Sequence, residues 1–495
     1  MMKQETTRWV TLVGLAMLVL SPGLLAAEGG AAEPDTGAWG QFWDTFRHPT
    51  PWLQMGLDFR FRTIYAENIT TLQDGVDNHG SFHNFERYRT RWSTKWILGE
   101  DVSFNTRLTW EFRTWHHPHE QRSIVGGSTY TNQDRNTNED EALFDHFNVA
   151  WRNMFGLPLT GTIGRQDVIL GAGWLVLDGT PLDGSRTIFM DAARFNFDWA
   201  EQNTKLDLIY VDNAAESRRW LKPINDQRRA LTPTDERGLI LYLTNKSVEN
   251  TQLEGFFMYK NDNPINTTVS NLSPGARANW SRKAEIFTFG AAIAGTPAEQ
   301  WKYRVEGAVQ TGEKEARPGD LGAGDMQDLQ AYGALADLEY SFKDGLDNRL
   351  HVGGEYASGD DADSRRNEQF DLLWAKWPRW SELYIYTYSR ETMIAESTNL
   401  IRLNAGHKFK PHKNWMIATD YHALWADQAG TSWAGLALAD SNRFRGHLFT
   451  CWAHYTFGKH LKGHVLGEYF VPGEFYDKIN NDDAFWLRFN LEYTF

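Results

Sequence analysis

Arginine recurs at every second residue in "FERYRTRWSTKW", which places Arg87, Arg89 and Arg91 on one face of an extended segment and Tyr88, Thr90 and Trp92 on the other. The same spacing sets Arg60 and Arg62 with Asp58, Arg107 and Arg113 with Glu111, and Arg488 with Glu492. Guanidinium keeps its charge and presents a planar fork of donors that matches carboxylate oxygens, so the chemistry these rows offer is anion binding. Three like charges on one strand face repel one another, which makes such a face unsuited to an apolar core. Other clusters offer less. "HHPHE" (116–120) has imidazoles that could ligate a metal, yet Pro118 breaks any helical spacing. "GDDAD" (359–363) presents carboxylates without a complete Ca²⁺ loop and reads as a solvated loop. No HExxH, GxSxG or CxxC is present, so the reading assigns no catalytic residue, no metal and no cofactor. A Ser–His or Asp–His pair carried on separate strands would need no local motif and stays open as an enzymatic alternative. The lone Cys451 forms no internal disulfide and reads as a small apolar strand residue.

The elements that must position these rows alternate in the same way. "GLDFRFRTIY" sets Leu57, Phe59, Phe61 and Tyr65 against Asp58, Arg60 and Arg62. "VSFNTRLTWEFR" sets Val102, Phe104, Leu108, Trp110 and Phe112 against Ser103, Asn105, Arg107, Glu111 and Arg113. "FWLRFNLEYTF" sets Phe485, Leu487, Phe489, Leu491, Tyr493 and Phe495 against Trp486, Arg488, Asn490 and Glu492. One face is apolar and the other is too charged for a packed core. At 495 residues the chain is long for one soluble domain. Its 22 Trp, 29 Phe and 18 Tyr accompany a mean hydropathy of −0.54, and beyond the first 30 residues no apolar run is long enough for a membrane helix. That combination fits a membrane β-barrel, with apolar and polar residues alternating and aromatics at both interfaces.

Connection lengths point the same way. Short links near 99–101, 153–158, 200–203, 246–250, 296–300, 343–347, 410–413 and 458–459 alternate with long ones such as 68–83, 116–143, 170–187 and 359–397. The expected fold is all-β: a transmembrane antiparallel up-and-down barrel of 18 strands, give or take two, with short periplasmic turns and long extracellular loops. "ELYIYTYS" (Glu382–Ser389) has strand composition, but a further spanning strand would make the count odd. It is therefore expected to belong to the loop 359–397, as a hairpin above the barrel or a fold into the pore.

The beginning of the chain reads as a secretory leader. Lys3 and Arg8 precede the apolar run Val10–Leu20, followed by Pro22, Gly23 and Ala26–Ala27, which places a signal peptide at 1–27. Residues 28–50 form a Gly/Ala/Pro-rich periplasmic extension without a period, and 51–495 the barrel. Removing the leader takes Lys3, Arg8 and Glu5 and moves the net charge from −14 to −15. The location implied is the outer membrane of a Gram-negative-type envelope.

Barrel closure brings the last strand beside the first, so Arg60, Arg62, Arg87, Arg89, Arg91, Arg107, Arg113 and Arg488 share one stretch of inner wall. Arg194, Arg402 and Lys408 extend it, while Lys302, Arg304 and Arg349 stand among Glu306, Asp337, Glu339 and Glu355. A basic wall in a narrow low-dielectric tube concentrates anions. The acidic excess lies in loops such as "TNQDRNTNEDEALFD" and "NNDDAF". An acidic exterior and a secretory start exclude nucleic acid as a partner.

The segment "GTIGRQDVILGAGWLV…GSRTIFMDAARFNF" (161–197) resembles the alginate-export outer-membrane porin family, as does "HVGGEYASGDD…FDLLWAKWPRWSELYIYTY…TNLIRLNAGHKF" (351–409). The resemblance implies an 18-stranded barrel whose arginine-lined constriction passes a polyuronate out of the periplasm. It carries over Gly164, Arg165, Gln166, Arg186, Asp191 and Arg194 as residues of the path. Strict parity from Ile163 turns Arg165 outward and Gln166 inward, so Arg165 reaches the lumen only if the strand bulges near Gly164. Asp145 and His146 stand where an arginine would be expected along a polyanion path. The function expected is passive export of an anionic exopolysaccharide such as alginate. Uptake or general diffusion of small anionic sugars and other polar nutrients is the alternative. The partners implied are outer-membrane lipid, the anionic polysaccharide or sugar, and periplasmic export machinery, with the barrel itself monomeric.

Overall fold

The computed structural model describes residues 38–74, 82–117, 137–177, 189–215, 219–226, 232, 234–264, 281–317, 320–375, 377–391, 397–430, 436–439 and 441–495. The alternating segments form eighteen strands: β1 (Leu53–Glu67), β2 (Phe82–Ile97), β3 (Val102–His117), β4 (Thr137–Trp151), β5 (Leu159–Gln166), β6 (Met190–Trp199), β7 (Thr204–Asn213), β8 (Thr234–Asn245), β9 (Thr251–Pro264), β10 (Ala284–Ala298), β11 (Trp301–Glu315), β12 (Met326–Ser341), β13 (Arg349–Ala357), β14 (Leu400–His412), β15 (Trp415–Trp425), β16 (Phe444–Phe457), β17 (Leu461–Pro472) and β18 (Ala484–Thr494). Each pairs antiparallel with the next, and β18 returns to β1 in unbroken register from Asp58↔Thr494 to Glu67↔Phe485. The sheet has no edge. Closure is what lipid demands of a sheet, since every unpaired backbone group in hydrocarbon costs several kcal/mol.

The pleat sorts side chains into two shells. Phe59, Trp92, Trp110, Val305, Leu403 and Phe489 stand exposed on the outer face, while alternating neighbours such as Arg60, Glu111, Glu306, Arg402 and Arg488 are buried. Outer aromatics meet across strands, as in the row Phe61–Tyr88–Phe112 with centroids 5.3 and 4.6 Å apart. Tyr65–Phe82 at one rim and Trp52–Trp96 at the other give the belt its aromatic margins. Links at the second rim are short, for example 246–250 between β8 and β9.

One bulge matters for the interior. The β15–β16 register shifts between Leu424 and Trp425, and Gly446 takes φ +133°, where an added Cβ would lie 2.2 Å from the Val471 carbonyl oxygen. The extra residue, Arg445, is thereby turned inward and fully buried.

The chain divides into two units at Phe46/Arg47. In the first, α1 (Ala38–Arg47) carries Trp43 edge-on to Phe42 and Phe46, so the expected extension 28–50 holds a helix. The leader expected at 1–27 lies outside the described residues, as does most of "HHPHE" beyond His116 and His117, which end β3.

"ELYIYTYS" is a helix, α2 (Glu382–Glu391), rather than a hairpin. Its buried residues Leu383, Tyr384, Thr387, Tyr388 and Glu391 follow helical spacing, and the Ser381 hydroxyl accepts from the Tyr384 N–H as an N-cap. Composition pointed to strand because Tyr and Ile favour sheets, but the burial period decides.

Phe489 is the middle member of the outer row of β18 and pairs with Thr63 and Val465. Phe489→Arg is expected to cost about 2–4 kcal/mol near the bilayer midplane. Denaturant unfolding from lipid vesicles measures this, and a cost near zero would contradict its lipid-facing assignment.

Candidate functional site

Register places the arginine rows side by side. Arg60 lies opposite Arg89 on β2 and Glu492 on β18, and Arg62 opposite Arg87 and Asn490. On β3, Glu111 faces Arg89 and Arg113 faces Arg87. Like charges directly opposite are unfavourable, so the wall depends on its few acids. Glu111 receives Arg60 at 3.2 Å, Arg87, and Arg113 at 3.7 Å. Asp58 holds Arg89 at 3.0 Å. Arg62 donates through Nε to Asn490 at 2.6 Å, and Arg488 through Nε to His464 at 3.1 Å above the Trp452 ring. Arg107 bridges Asp145 at 2.7 Å and Asp167 at 3.0 Å, and His146 joins Asp167 at 2.9 Å. Asp145 and His146 therefore act as partners of the neighbouring arginine row.

The ladder points inward but is roofed. Arg87 and Arg89 are 5% and 6% exposed, and Arg62 and Arg488 only 1%, so the upper wall does not face open water as its alternation alone suggests. The cover is the long link 358–399, which folds into the barrel and crosses it. On one side Asp371 meets Lys314 at 2.8 Å and Lys260 at 3.9 Å, while Gln310 clasps its backbone N–H and C=O at 2.8 and 2.7 Å. On the other side the Glu468 carboxylate accepts from the N–H groups of Glu382 (2.8 Å) and Leu383 (3.2 Å), holding the start of α2 by its backbone donors. The end of α2 is tied by the Glu391–Arg445 ion pair, both members fully buried. Tyr476 donates to Glu391 at 2.9 Å, and Arg445 reaches the Tyr388 hydroxyl at 3.1 Å and the Asn399 carbonyl at 2.7 Å. Burial holds the Glu391 carboxyl above its ordinary value, with Arg445 opposing part of the rise. The link after β5 joins this inner layer: Trp174 stacks on Phe370 at 5.4 Å and donates to Glu355 at 3.2 Å. The Ala172 carbonyl accepts from Arg379.

Below the roof, a cavity of about 850 Å³ lies against the short-link half of the wall. Lys95, Asn105, Asn148, Gln166, Arg194 and Asp207 are among its lining residues. Arg194 pairs there with Asp207 at 2.7 Å, and on the facing wall Arg402 pairs with Glu355 at 3.3 Å.

Two residues carried over from the resemblance do not line this space. Although Gly164 has φ +121°, β5 pairs with β4 and β6 without a register shift, so parity is kept. Gln166 turns inward, whereas Arg165 and Asp191 share the outer face and pair at 3.0 Å. There Arg165 stacks over Phe189 at 3.7 Å and Trp220 at 5.2 Å. Arg186 lies outside the described residues. The inner residues that sequence reading passed over are Glu382, Glu391, Arg445, Glu468, Lys260 and Asp371. All six face partners more than fifty positions away, which no local pattern reveals.

Fold and inner wall together define an outer-membrane β-barrel porin. The sequence pattern of the alginate export family matches residues 51–484, and the chain belongs to that family. No curated protein matches it. Among solved structures it is similar to OccAB2 of Acinetobacter baumannii (8% identity, TM-score 0.53) and to a BenF-like porin of Pseudomonas fluorescens Pf-5 (11%, 0.52). OccK9 (OpdG) of Pseudomonas aeruginosa is a third (10%, 0.51). Each alignment covers 89% of this chain and 98% of the other. At such identities the likeness concerns the fold. In barrels of this kind the short turns face the periplasm, which orients the cavity.

Glu391→Gln leaves Arg445 buried without its counter-charge, a loss of about 3–5 kcal/mol when one partner of a buried pair is removed. The expected result is undocking of the α2 end, seen as larger and noisier single-channel conductance with unchanged β-sheet circular dichroism. Parental conductance would show that the pair does not hold the link in place.

Proposed function

We propose that this porin is a passive channel exporting an anionic exopolysaccharide, a polyuronate of the alginate class, along its arginine wall. The observation that carries the reading is the composition of the inner face of β18, β1, β2 and β3. There Arg60, Arg62, Arg87, Arg89, Arg91, Arg107, Arg113 and Arg488 stand against Asp58, Glu111 and Glu492. Low-dielectric walls focus the resulting positive potential, drawing carboxylates from the periplasm. Membership of the alginate export family supports the substrate class.

The mechanism is passage without bond chemistry. A carboxylate leaving water needs donors in place of its hydration shell, and guanidinium supplies two parallel N–H groups. Successive arginines at about 7 Å along a strand offer the next site before the last contact is lost. Conduction requires this division into many weak contacts, since one tight site would trap the chain. The periplasmic cavity lies within the range of about 300–1,000 Å³ typical of sites that enclose a drug-sized ligand, enough for a short run of sugars. Arg91 and Arg107 on the wall above it lead towards the roofed rows.

A second reading, uptake or general diffusion of small anionic sugars, is favoured by the acids Glu254, Glu306 and Glu355 on the facing wall, which set a transverse field. Polymer length separates the two. In planar bilayers, uronate oligomers added on the periplasmic side are expected to block more strongly as they lengthen. Arg87→Glu with Arg89→Glu should raise the half-blocking concentration at least about tenfold, from charge reversal at an intermediate dielectric. Equal block by neutral oligosaccharides, or none by uronates, would overturn the reading.

A further inference from the structure

Two carboxylates of α2 meet arginines of the inner wall, and they do so in different ways. Glu391 and Arg445 are both fully buried and exchange with nothing. Glu382 lies 3.1 Å from Nη1 of Arg488 and keeps a side-chain exposure of 24%, whereas Arg488 has 0%, so the pair meets solvent through the carboxylate, and Arg488 is uncovered only when Glu382 moves aside. Its place is imposed by the fold: Glu468 fixes the backbone N–H of Glu382 itself, and Ser381 caps the helix from the preceding position. Four residues on, the Tyr386 ring lies tilted 5.3 Å from that of Trp486, the inner-face neighbour of Arg488 along β18. Arg62, Arg87 and Arg60 lie close enough to act on the Glu382 carboxylate. These rows have more guanidiniums than carboxylates of their own, and the inserted helix adds a negative charge where the excess is greatest.

We infer that Glu382 is a tethered substitute for the substrate's carboxylate: it occupies the Arg488–Arg62 position at rest, and an incoming uronate displaces it. This rests on the polyuronate reading above and adds its regulation. A carboxylate ascending from the periplasmic cavity past Arg91 and Arg89 reaches Arg488, the arginine paired with Glu382. Exchange restores the charge balance at Arg488 while freeing Glu382 to water. The start of α2 then loses its ion pair to the arginine wall and keeps Glu468 and the Tyr386–Trp486 contact, so the crossing link is loosened only where substrate is present. In the absence of polymer the resident carboxylate lowers the anion affinity of the constriction and keeps the roof seated.

The test uses the full chain in planar bilayers with Glu382→Gln and Glu382→Asp, folding being checked by heat-modifiable gel mobility. Glu382→Gln is expected to move the reversal potential in a KCl gradient towards that of chloride. It should also lower the half-blocking concentration of a uronate oligomer about tenfold, the effect of one unit charge removed several ångströms away at an intermediate dielectric. Glu382→Asp, which keeps the charge, should hold the parental reversal potential. Parental values of both quantities in Glu382→Gln would overturn the inference. So would a larger, less anion-selective conductance, which marks a residue that only holds the helix. If uronates block none of the three proteins while Glu382→Gln alone shifts the reversal potential, the tethered counter-ion stands and the polyuronate reading falls.

Discussion

Hydrocarbon offers no hydrogen bonds to a peptide group, and this single property of the surroundings shapes the chain from end to end. It requires the β1–β18 seam to close, with Phe61 opposite Leu491 and Arg62 opposite Asn490 in one continuous ladder. A closed ladder with a period of two then has one face for lipid and one for the interior, and the polar share of the composition must go inside. Burying so many guanidiniums is costly unless each finds acceptors nearby. The acids of the wall are accordingly shared, Glu111 among three arginines and Asp167 between Arg107 and His146.

The interior is completed by chain that does not span the membrane. The link 358–399 brings Asp371 to two lysines on one wall and Glu391 to Arg445 on the other, so it is held by charge at both ends of its crossing. Between them, Glu382 meets Arg488 of the arginine rows. The same electrostatics that make the wall attractive to a polyanion thus seat the protein's own segment upon it, and transport and closure become competing uses of one surface. On the proposed reading, that competition is how an arginine-rich inner wall is covered at rest and still passes a polymer.

Much of the fold was legible because alternation is local. Phe485 to Phe495 announces a two-faced strand without reference to any other segment, and the arginines of β1, β2 and β3 fall on the face opposite the aromatics. Parity also served beyond expectation at Ile163, where it places Arg165 outside; the family resemblance pulled that residue inward, and the unshifted β4–β5–β6 register keeps it out. Illegible were the features set by distant partners. The helical state of 382–391 depends on Glu468, Arg445 and Trp486, and the turn of Arg445 into the interior depends on a bulge opposite Leu424. Period alone could not show that Arg87 and Arg89 are covered, because the cover arrives from nearly three hundred residues away.

If the excess of inward guanidiniums governs what passes, as proposed, the open channel selects anions. The most direct measurement is the zero-current potential of the unmodified channel separating two KCl solutions of unequal concentration. A potential of the chloride sign is predicted, because the inner wall of β18 through β3 carries more arginine than carboxylate. A potential of the potassium sign would contradict the account.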